Sequence, residues 1–448
     1  MIRADETHVF PRSLDLAYPN VVAADGVWLT TDDGTRILDA CSGGAMVTCL
    51  GHGAPAVIEA AAAQAERLAY YYNHHFTSEP QERLAARLLE VVAPDMARAR
   101  FVSGGSEANE TALQLARLYH VERGDEARWR VISPAQSYHG STMGTLALTG
   151  RRAIQEPYTP YLADHLHIPP STWRTDPSGE EMLAALDRAL EEAGGTVAAF
   201  VCEPIGAAAL PAASPPERFW RGLEERREAH GFLVVFDEVV TGVGRTGTWL
   251  AADQVPIEPD IVTIGKGLGA GYAPLGAVLC RSHVYEAIDR GSGEFDLGHT
   301  WDGAPLPSAV GLAVLDELVG RELVDRVRER GPGLRDELEA ALAGSRLVRE
   351  VRGRGFLLGV ELVDPRDGES FLPVELDAAS LVDDTALAHG LLVTSTHPQA
   401  DGYAGDQVLL APAFVSTDEE LAAMIERFAT TIVDVERRVQ EALAGGVR

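Results

Sequence analysis

The residues best placed to do chemistry all follow apolar runs. Lys266 comes just after DIVTI (Asp260–Ile264) and opens the glycine-rich GKGLGAG. A lysine there serves as a phosphate ligand, a solvated side chain or a nucleophilic amine. Asp237 and Glu238 end the most apolar run of the chain, FLVVFDEVV (Phe232–Val240). Carboxylates in such surroundings need partners, and a helix cap or a salt bridge would provide them. In SGGSEANE (Ser103–Glu110), Gly104, Gly105 and Ser106 close one run and open a helical pattern. Amide donors at a helix start suit an anion, and they equally suit a plain capped turn. SYHG (Ser137–Gly140) sets a phenol and an imidazole before a glycine.

These groups need a scaffold that brings them together. FVSGG (Phe101–Gly105), RWRVISP (Arg128–Pro134), VAAFVCEPI (Val197–Ile205), FLVVFDEVV, DIVTI and PLGAVLC (Pro274–Cys280) read as buried strands. They are continuously apolar, which is the pattern of a mostly parallel sheet covered on both faces. Helical spacing in Ser106–His120, Glu180–Ala193 and Pro216–His230 lies between them. Residues 20–40 carry short strands around Ala24-Asp25-Gly26 and Asp32-Asp33-Gly34. After Pro307 a helical stretch reaches about Ala343; Leu347–Leu362 reads as sheet and Thr417–Leu443 as helix. The expected fold is α/β. A large domain, residues 50–306, holds the sheet, and a smaller α+β domain is built from both chain ends, residues 1–49 and 307–448.

Ligands of open parallel sheets sit at the carboxyl ends of the strands. An anion cradle, an aromatic plate, a buried carboxylate and a lysine on one rim match what pyridoxal 5'-phosphate needs. Its phosphate takes amide donors, its ring a flat partner, its pyridine nitrogen a carboxylate and its aldehyde an amine. A competing reading is the literal G-x-G-x-x-A match at Gly265–Ala270, a nicotinamide-dehydrogenase fingerprint. It leaves Asp237, Tyr138 and the glycine cradle without a role. It also runs into Tyr272-Ala273-Pro274-Leu275 instead of a helix start.

SGGSEANETALQLAR, SYHGST, CEPI, FDEVVTGVGRTG, GKGLGAGYAPLGAV, GHTW and VRGRGFLLGVEL follow one another along nearly the whole chain. In these motifs and their order the sequence resembles the class III, ω-type, fold type I pyridoxal-phosphate aminotransferases. The resemblance implies that Lys266 is the Schiff-base lysine and that Asp237 pairs with the pyridinium nitrogen. It implies Tyr138 and Val239 on the two ring faces, Gly105 and Ser106 at the phosphate, and His139 and Glu203 beside the cofactor. Thr300 of GHT would reach the phosphate of a neighbouring subunit, implying a homodimer with the active site at the interface. The implied reaction moves an amino group from an amine or amino-acid donor to a carbonyl acceptor with ping-pong kinetics. Racemases, aminomutases, phospho-lyases and decarboxylases of the family share these cofactor residues.

The chain departs from its relatives where many of them bind a substrate carboxylate. Leu409 in VLLAPAF stands at an arginine position, Ala208 at the position of a glutamate that parks that arginine, and Gly402 at a mobile-arginine position. Removing arginine and glutamate together avoids a buried unpaired charge. The expectation is that at least one substrate lacks an α-carboxylate bound there, with Arg151 or Arg152 as alternative partners. Trp301 and Asp302 replace an aromatic and a small residue, and Asp302 reads as solvated. YYYNHHFTSEP (Tyr70–Pro80) reads as a pocket wall or interface core.

Bulk properties narrow the function. A net charge of −29 over 448 residues argues against nucleic acid and anionic membrane surfaces as partners. No apolar run approaches the ~20 residues of a membrane helix. Four cysteines, at 41, 49, 202 and 280, have no metal-like spacing and read as reduced thiols. No metal is expected, and the start of the chain carries no leader-like apolar segment, so a cytoplasmic location is expected.

Overall fold

The computed structural model describes residues 1–3, 5–396 and 405–445. Seven strands form the central sheet: β1 Arg98–Val102, β2 Arg130–Pro134, β3 Leu166–Ile168, β4 Val197–Cys202, β5 Leu233–Glu238, β6 Ile261–Ile264 and β7 Gly276–Cys280. Their spatial order is β1-β7-β6-β5-β4-β2-β3. β3, β2, β4, β5 and β6 are mutually parallel, and β7 runs antiparallel to both β6 and β1. Six strands therefore point the same way, and their carboxyl ends share one rim.

Every residue of β4, β5, β6 and β7 is buried, as their unbroken apolar character requires. Along β5, Val234 and Phe236 join one hydrophobic cluster while Leu233 and Val235 join another. The period of two thus sends alternate residues to opposite, equally covered faces. The helix Gly105–Glu122 packs Ala108, Ala112, Leu115 and Ala116 into the second cluster. Glu180–Ala193 and Glu217–His230 cover the first, through Leu186, Leu190, Phe219 and Leu223.

Three expectations shift. β1 spans Arg98–Val102, so Gly104 and Gly105 belong to the turn and helix start rather than to the strand. β3 has three residues, too few for a pattern to register. The stretch after Pro307 is two helices, Pro305–Gly320 and Leu323–Leu342, broken where Glu322 takes a left-handed φ of +50°.

The chain ends do meet. Val21–Asp25, Trp28–Thr31 and Arg36–Asp39 form an antiparallel meander, and Leu391–Leu392 adds to it in parallel beside Arg36–Asp39. Val348–Arg354, Leu357–Leu362, Asp406–Leu410 and Thr394–Thr396 make a second, antiparallel sheet. The helix Asp418–Ala444 closes the fold. Thr417 Oγ1 accepts from the Glu420 amide at 3.2 Å, and the Thr417 amide donates to Glu420 Oε2 at 2.9 Å. Glu420 Oε1 accepts from the Trp28 indole at 2.9 Å, tying this helix to the first meander. No helix among the described residues is long and apolar enough to cross a membrane. Thr417→Ala removes the helix cap and is expected to cost about 1 kcal/mol. A lowered urea midpoint with an unchanged m-value checks this.

Candidate active site

Asp237 is the next-to-last residue of β5 and is 4% exposed. Its Oδ2 accepts from His139 Nδ1 at 2.8 Å and from Asn109 Nδ2 at 2.7 Å; its Oδ1 accepts from the Val239 amide at 3.0 Å. Asn109 also donates to the His139 carbonyl at 2.8 Å and accepts from Thr263 Oγ1 at 2.7 Å. Thr263 is the register partner of Asp237 on β6. The carboxylate is therefore held by two neighbouring strand ends and one helix, with Oδ1 retaining acceptor capacity. His139 Nε2 is buried and has no partner among the described residues.

Lys266 follows β6, two residues beyond Ile264, the register partner of Glu238. Its φ is +41°, a left-handed conformation that a residue with a β-carbon adopts at a cost. Burial lowers the proton affinity of its amine, while Asp237 and Glu203 oppose that effect. Among the described residues its amine forms no hydrogen bond or ion pair. Glu203, directly after β4, accepts from the amides of Tyr138 at 3.2 Å and Ala207 at 3.1 Å. Burial, and next the charge of Asp237, push its carboxyl up to about 7.

The glycine cradle lies alongside. A β-carbon on Gly105 would stand 2.7 Å from Val239 Cγ1, and one on Gly265 3.4 Å from the same methyl. Val239 thus packs between the helix start and the lysine turn. Ser106 Oγ accepts from the Ser141 amide at 3.2 Å. A β-carbon on Gly140 would approach Ser106 Oγ to 2.6 Å, so SYHG must end in glycine to bring Tyr138 and His139 this close. Asp237, His139, Glu203, Tyr138, Val239, Gly105, Ser106 and Lys266 all line this one rim.

Thr300 does not join them. It is exposed on a loop and lines a separate cavity of about 380 Å³ with Tyr70, Asn73, His74, Arg100 and His299. Tyr72, Phe76 and Trp301 are likewise more than half exposed, at 51%, 66% and 58%. Asp302 corrects the reading of a solvated carboxylate. It is 8% exposed, because Arg100 Nε and Nη2 both lie 3.1 Å from its Oδ2. Leu409 is buried among Cys41, Met46, Ile205, Ala207 and Leu357. Gly402 lies outside the described residues. The dinucleotide reading fails on local structure. Gly265–Ala270 forms a short 3₁₀ turn, Lys266–Leu268, that leads to β7, so no helix start faces an anion there. All four cysteines are free and buried, and no metal cluster occurs among the described residues.

Two signals lay unused in the sequence. Asn109, within SGGSEANE, is one turn into the helix from Ser106 on the face turned to the sheet, and its helical spacing marks it as inward-facing. Lys266 is the only lysine in the sequence; every other strong base is arginine. Arginine serves ion pairs as well as or better than lysine, whereas a nucleophilic amine requires lysine.

The fold is shared with solved transaminases. A transaminase from the marine bacterium Virgibacillus aligns with a TM-score of 0.90 and 29% identity, covering 96% of this chain and 98% of that one. A pyridoxal-phosphate-bound amine transaminase from an uncultivated Pseudomonas species aligns at 0.87 and 30% identity, covering 96% and 99%. The uncharacterized aminotransferase YodT of Bacillus subtilis is 35% identical over 443 residues, 97% of this chain and 99% of its own. The gamma aminobutyrate transaminase 3 of Solanum lycopersicum is 31% identical, over 96% of this chain and 83% of its own. The family model for class III aminotransferases matches residues 10–432. The fold is that of the fold type I pyridoxal-phosphate enzymes. The chain belongs to the class III aminotransferases and is a pyridoxal-phosphate-dependent aminotransferase.

The raised Glu203 carboxyl carries a pH signature. Below about pH 4.5, the ordinary value, it is protonated folded or unfolded, and its contribution is fully present. Between there and about 7 the folded state holds a proton that the unfolded state has released, so stability falls as pH rises. Glu203→Gln in cofactor-free protein is expected to flatten that decline. Urea midpoints from pH 4.5 to 8 measure it.

Proposed function

We propose that the protein transfers an amino group from an amine or amino-acid donor to a carbonyl acceptor, in two half-reactions with ping-pong kinetics, using Lys266 as the amine that binds the cofactor covalently. The observation that carries this reading is the lone lysine of the sequence, half-buried and without a partner among the described residues, on the same rim as a carboxylate held by Asn109, His139 and the Val239 amide. The residues fit pyridoxal 5'-phosphate. Asp237 Oδ1 has room for a ring N–H, His139 Nε2 is a buried orphan, and the Gly105 backbone is open where a β-carbon would clash. When bound, that cofactor supplies an aldehyde that exchanges amino groups and a ring that accepts an electron pair.

The chain's own residues do the rest. Gly105 and Ser106 would donate to the phosphate at the helix start, and Tyr138 and Val239 would hold the two ring faces. His139 and Asn109 keep Asp237 oriented, and an ionised Asp237 favours a protonated ring nitrogen. Lys266, released as a free amine, would carry the proton between the substrate carbon and the cofactor. Glu203 holds the Tyr138 segment in place and has no proton to move in this scheme.

Trapping with borohydride tests the assignment. Holoenzyme treated in this way should carry a cofactor adduct at Lys266 alone. Lys266→Ala should lose at least ~10³-fold in turnover, the upper range for a proton-transferring group. Near-normal turnover, or an adduct on the terminal amine only, refutes it.

For the substrate, we infer that at least one partner lacks an α-carboxylate clamped at the Leu409 position. Leu409 is 1% exposed in an apolar cluster, and Ala208 offers no charge to park an arginine. The names of relatives, a gamma aminobutyrate transaminase and an amine transaminase, point the same way. Glutamate should convert the enzyme to its pyridoxamine form weakly; rapid conversion at micromolar concentration counts against the inference. The remaining assignments belong to this reading as well. Thr300 serves the partner's phosphate in a homodimer whose exposed aromatic loop, Tyr70–Phe76 with Trp301, is covered by the second copy. Residues 50–306 and the paired ends 1–49 and 307–448 form the two domains, and the enzyme works in the cytoplasm.

A further inference from the structure

Arg245 lies in GVGRTG (Gly242–Gly247), eight positions after Asp237, and is 1% exposed. Its Nη1 donates to the carbonyls of Phe356 at 3.2 Å and Pro412 at 2.6 Å, and its Nη2 donates to Ser42 Oγ at 3.0 Å. Its guanidinium carbon sits 4.6 Å from the centre of the Phe414 ring. None of these partners is anionic, and no carboxylate pairs with it among the described residues. A fully buried guanidinium is costly when no carboxylate compensates it. Its surroundings are strained as well, with a left-handed φ of +61° at the β-branched Val243.

The contacts lead to the lysine. Ser42 Oγ donates onward to the Ala411 carbonyl at 2.6 Å. The same loop, Cys41–Leu50, then touches the Lys266 turn. Cys49 Sγ lies 3.4 Å from the Gly267 carbonyl, and a β-carbon on Gly271 would stand 2.9 Å from Thr48 Cγ2. One loop therefore contacts both Arg245 and the Lys266 turn.

The ionisable groups around the two cations are few. Asp237, Glu203, Cys41 and Arg245 act on Lys266; Cys49, Cys41 and Asp39 act on Arg245. Burial pushes Cys41 up to about 12 and Cys49 up to about 11, so both thiols stay neutral at pH 7. Asp39 turns its oxygens to the amides of Cys41 and Gly43.

We propose that Arg245 is a positioning residue for Lys266. Its guanidinium, bound to Ser42 and to the Phe356 and Pro412 carbonyls, fixes the Cys41–Leu50 loop against the lysine turn and so holds Lys266 in its left-handed conformation. This rests on the reading of Lys266 as the reacting amine.

The test uses cofactor-loaded Arg245→Met, Arg245→Lys and Ser42→Ala. In each, borohydride trapping first shows the adduct at Lys266. Both kcat and KM are then measured. Arg245→Met should lower kcat by roughly tenfold or more while KM stays within about twofold. Arg245→Lys keeps a donor for some of the three acceptors and should recover part of that loss. Ser42→Ala loses an anchor, so kcat should fall by roughly tenfold or more. Unchanged kcat in Arg245→Met, or a KM that rises as far as kcat falls, overturns the positioning role. Unchanged kcat in Ser42→Ala overturns the loop role. If Arg245→Met does not load, Arg245→Gln takes its place and is read by the same rule. Failure to trap Lys266 in the unaltered enzyme refutes the function and not this role.

Discussion

A buried carboxylate and a half-buried amine at the ends of adjacent strands set the terms for this protein. Burying either charge without partners costs several kcal/mol, so each needs surroundings that compensate it. Asp237 has three donors, from Asn109, His139 and Val239, and is satisfied in the protein itself. Lys266 has none, and its turn holds it in a left-handed conformation. The asymmetry is functional in form. The protein orients the carboxylate through its own donors, whereas it leaves the amine without a hydrogen-bond partner among the described residues.

The sheet makes this arrangement possible. Parallel pairing of β4, β5 and β6 places Glu203, Asp237 and Lys266 on one rim, and the register Asp237↔Thr263 puts the Thr263 hydroxyl under Asn109. Two glycines, Gly105 and Gly140, then allow close approach where side chains would collide with Val239 or Ser106. Covering both faces of the strands excludes water from behind the rim. The polar groups there consequently act in a low-dielectric setting, where each hydrogen bond counts for more.

Around this rim the backbone is unusually strained. Ser42, Met46, Val243, Lys266 and Ala270 all carry positive φ without being glycine. Such residues persist only where the surroundings over-determine them. Here the surroundings are the segments tied by Arg245, which join the start of the chain, the Phe356 turn and the Ala411–Phe414 stretch to the turn after β5. The small-domain elements thus brace the site even though most of the reacting groups lie on the central sheet.

Much of this was legible in the sequence for a simple reason: strand and helix patterns are local, and so are motifs. The continuous apolar runs announced β2, β4, β5, β6 and β7, and residues at or just after the ends of β2, β4, β5 and β6 make up the candidate site. What pattern could not reach was of two kinds. Short elements carry too few residues for a period, as with the three of β3, and a single left-handed residue such as Glu322 divides a helix without disturbing its composition. The other kind is pairing across distance. Asp302 looked solvated because its partner Arg100 is 202 residues away, and Asn109 passed unnoticed because its value lies in touching His139, Asp237 and Thr263 together. Sequence alone determined which residue types end which strands, since burial and backbone periodicity depend on near neighbours. Only the tertiary structure decided which of those side chains satisfy one another, because hydrogen bonds and ion pairs depend on distance in space.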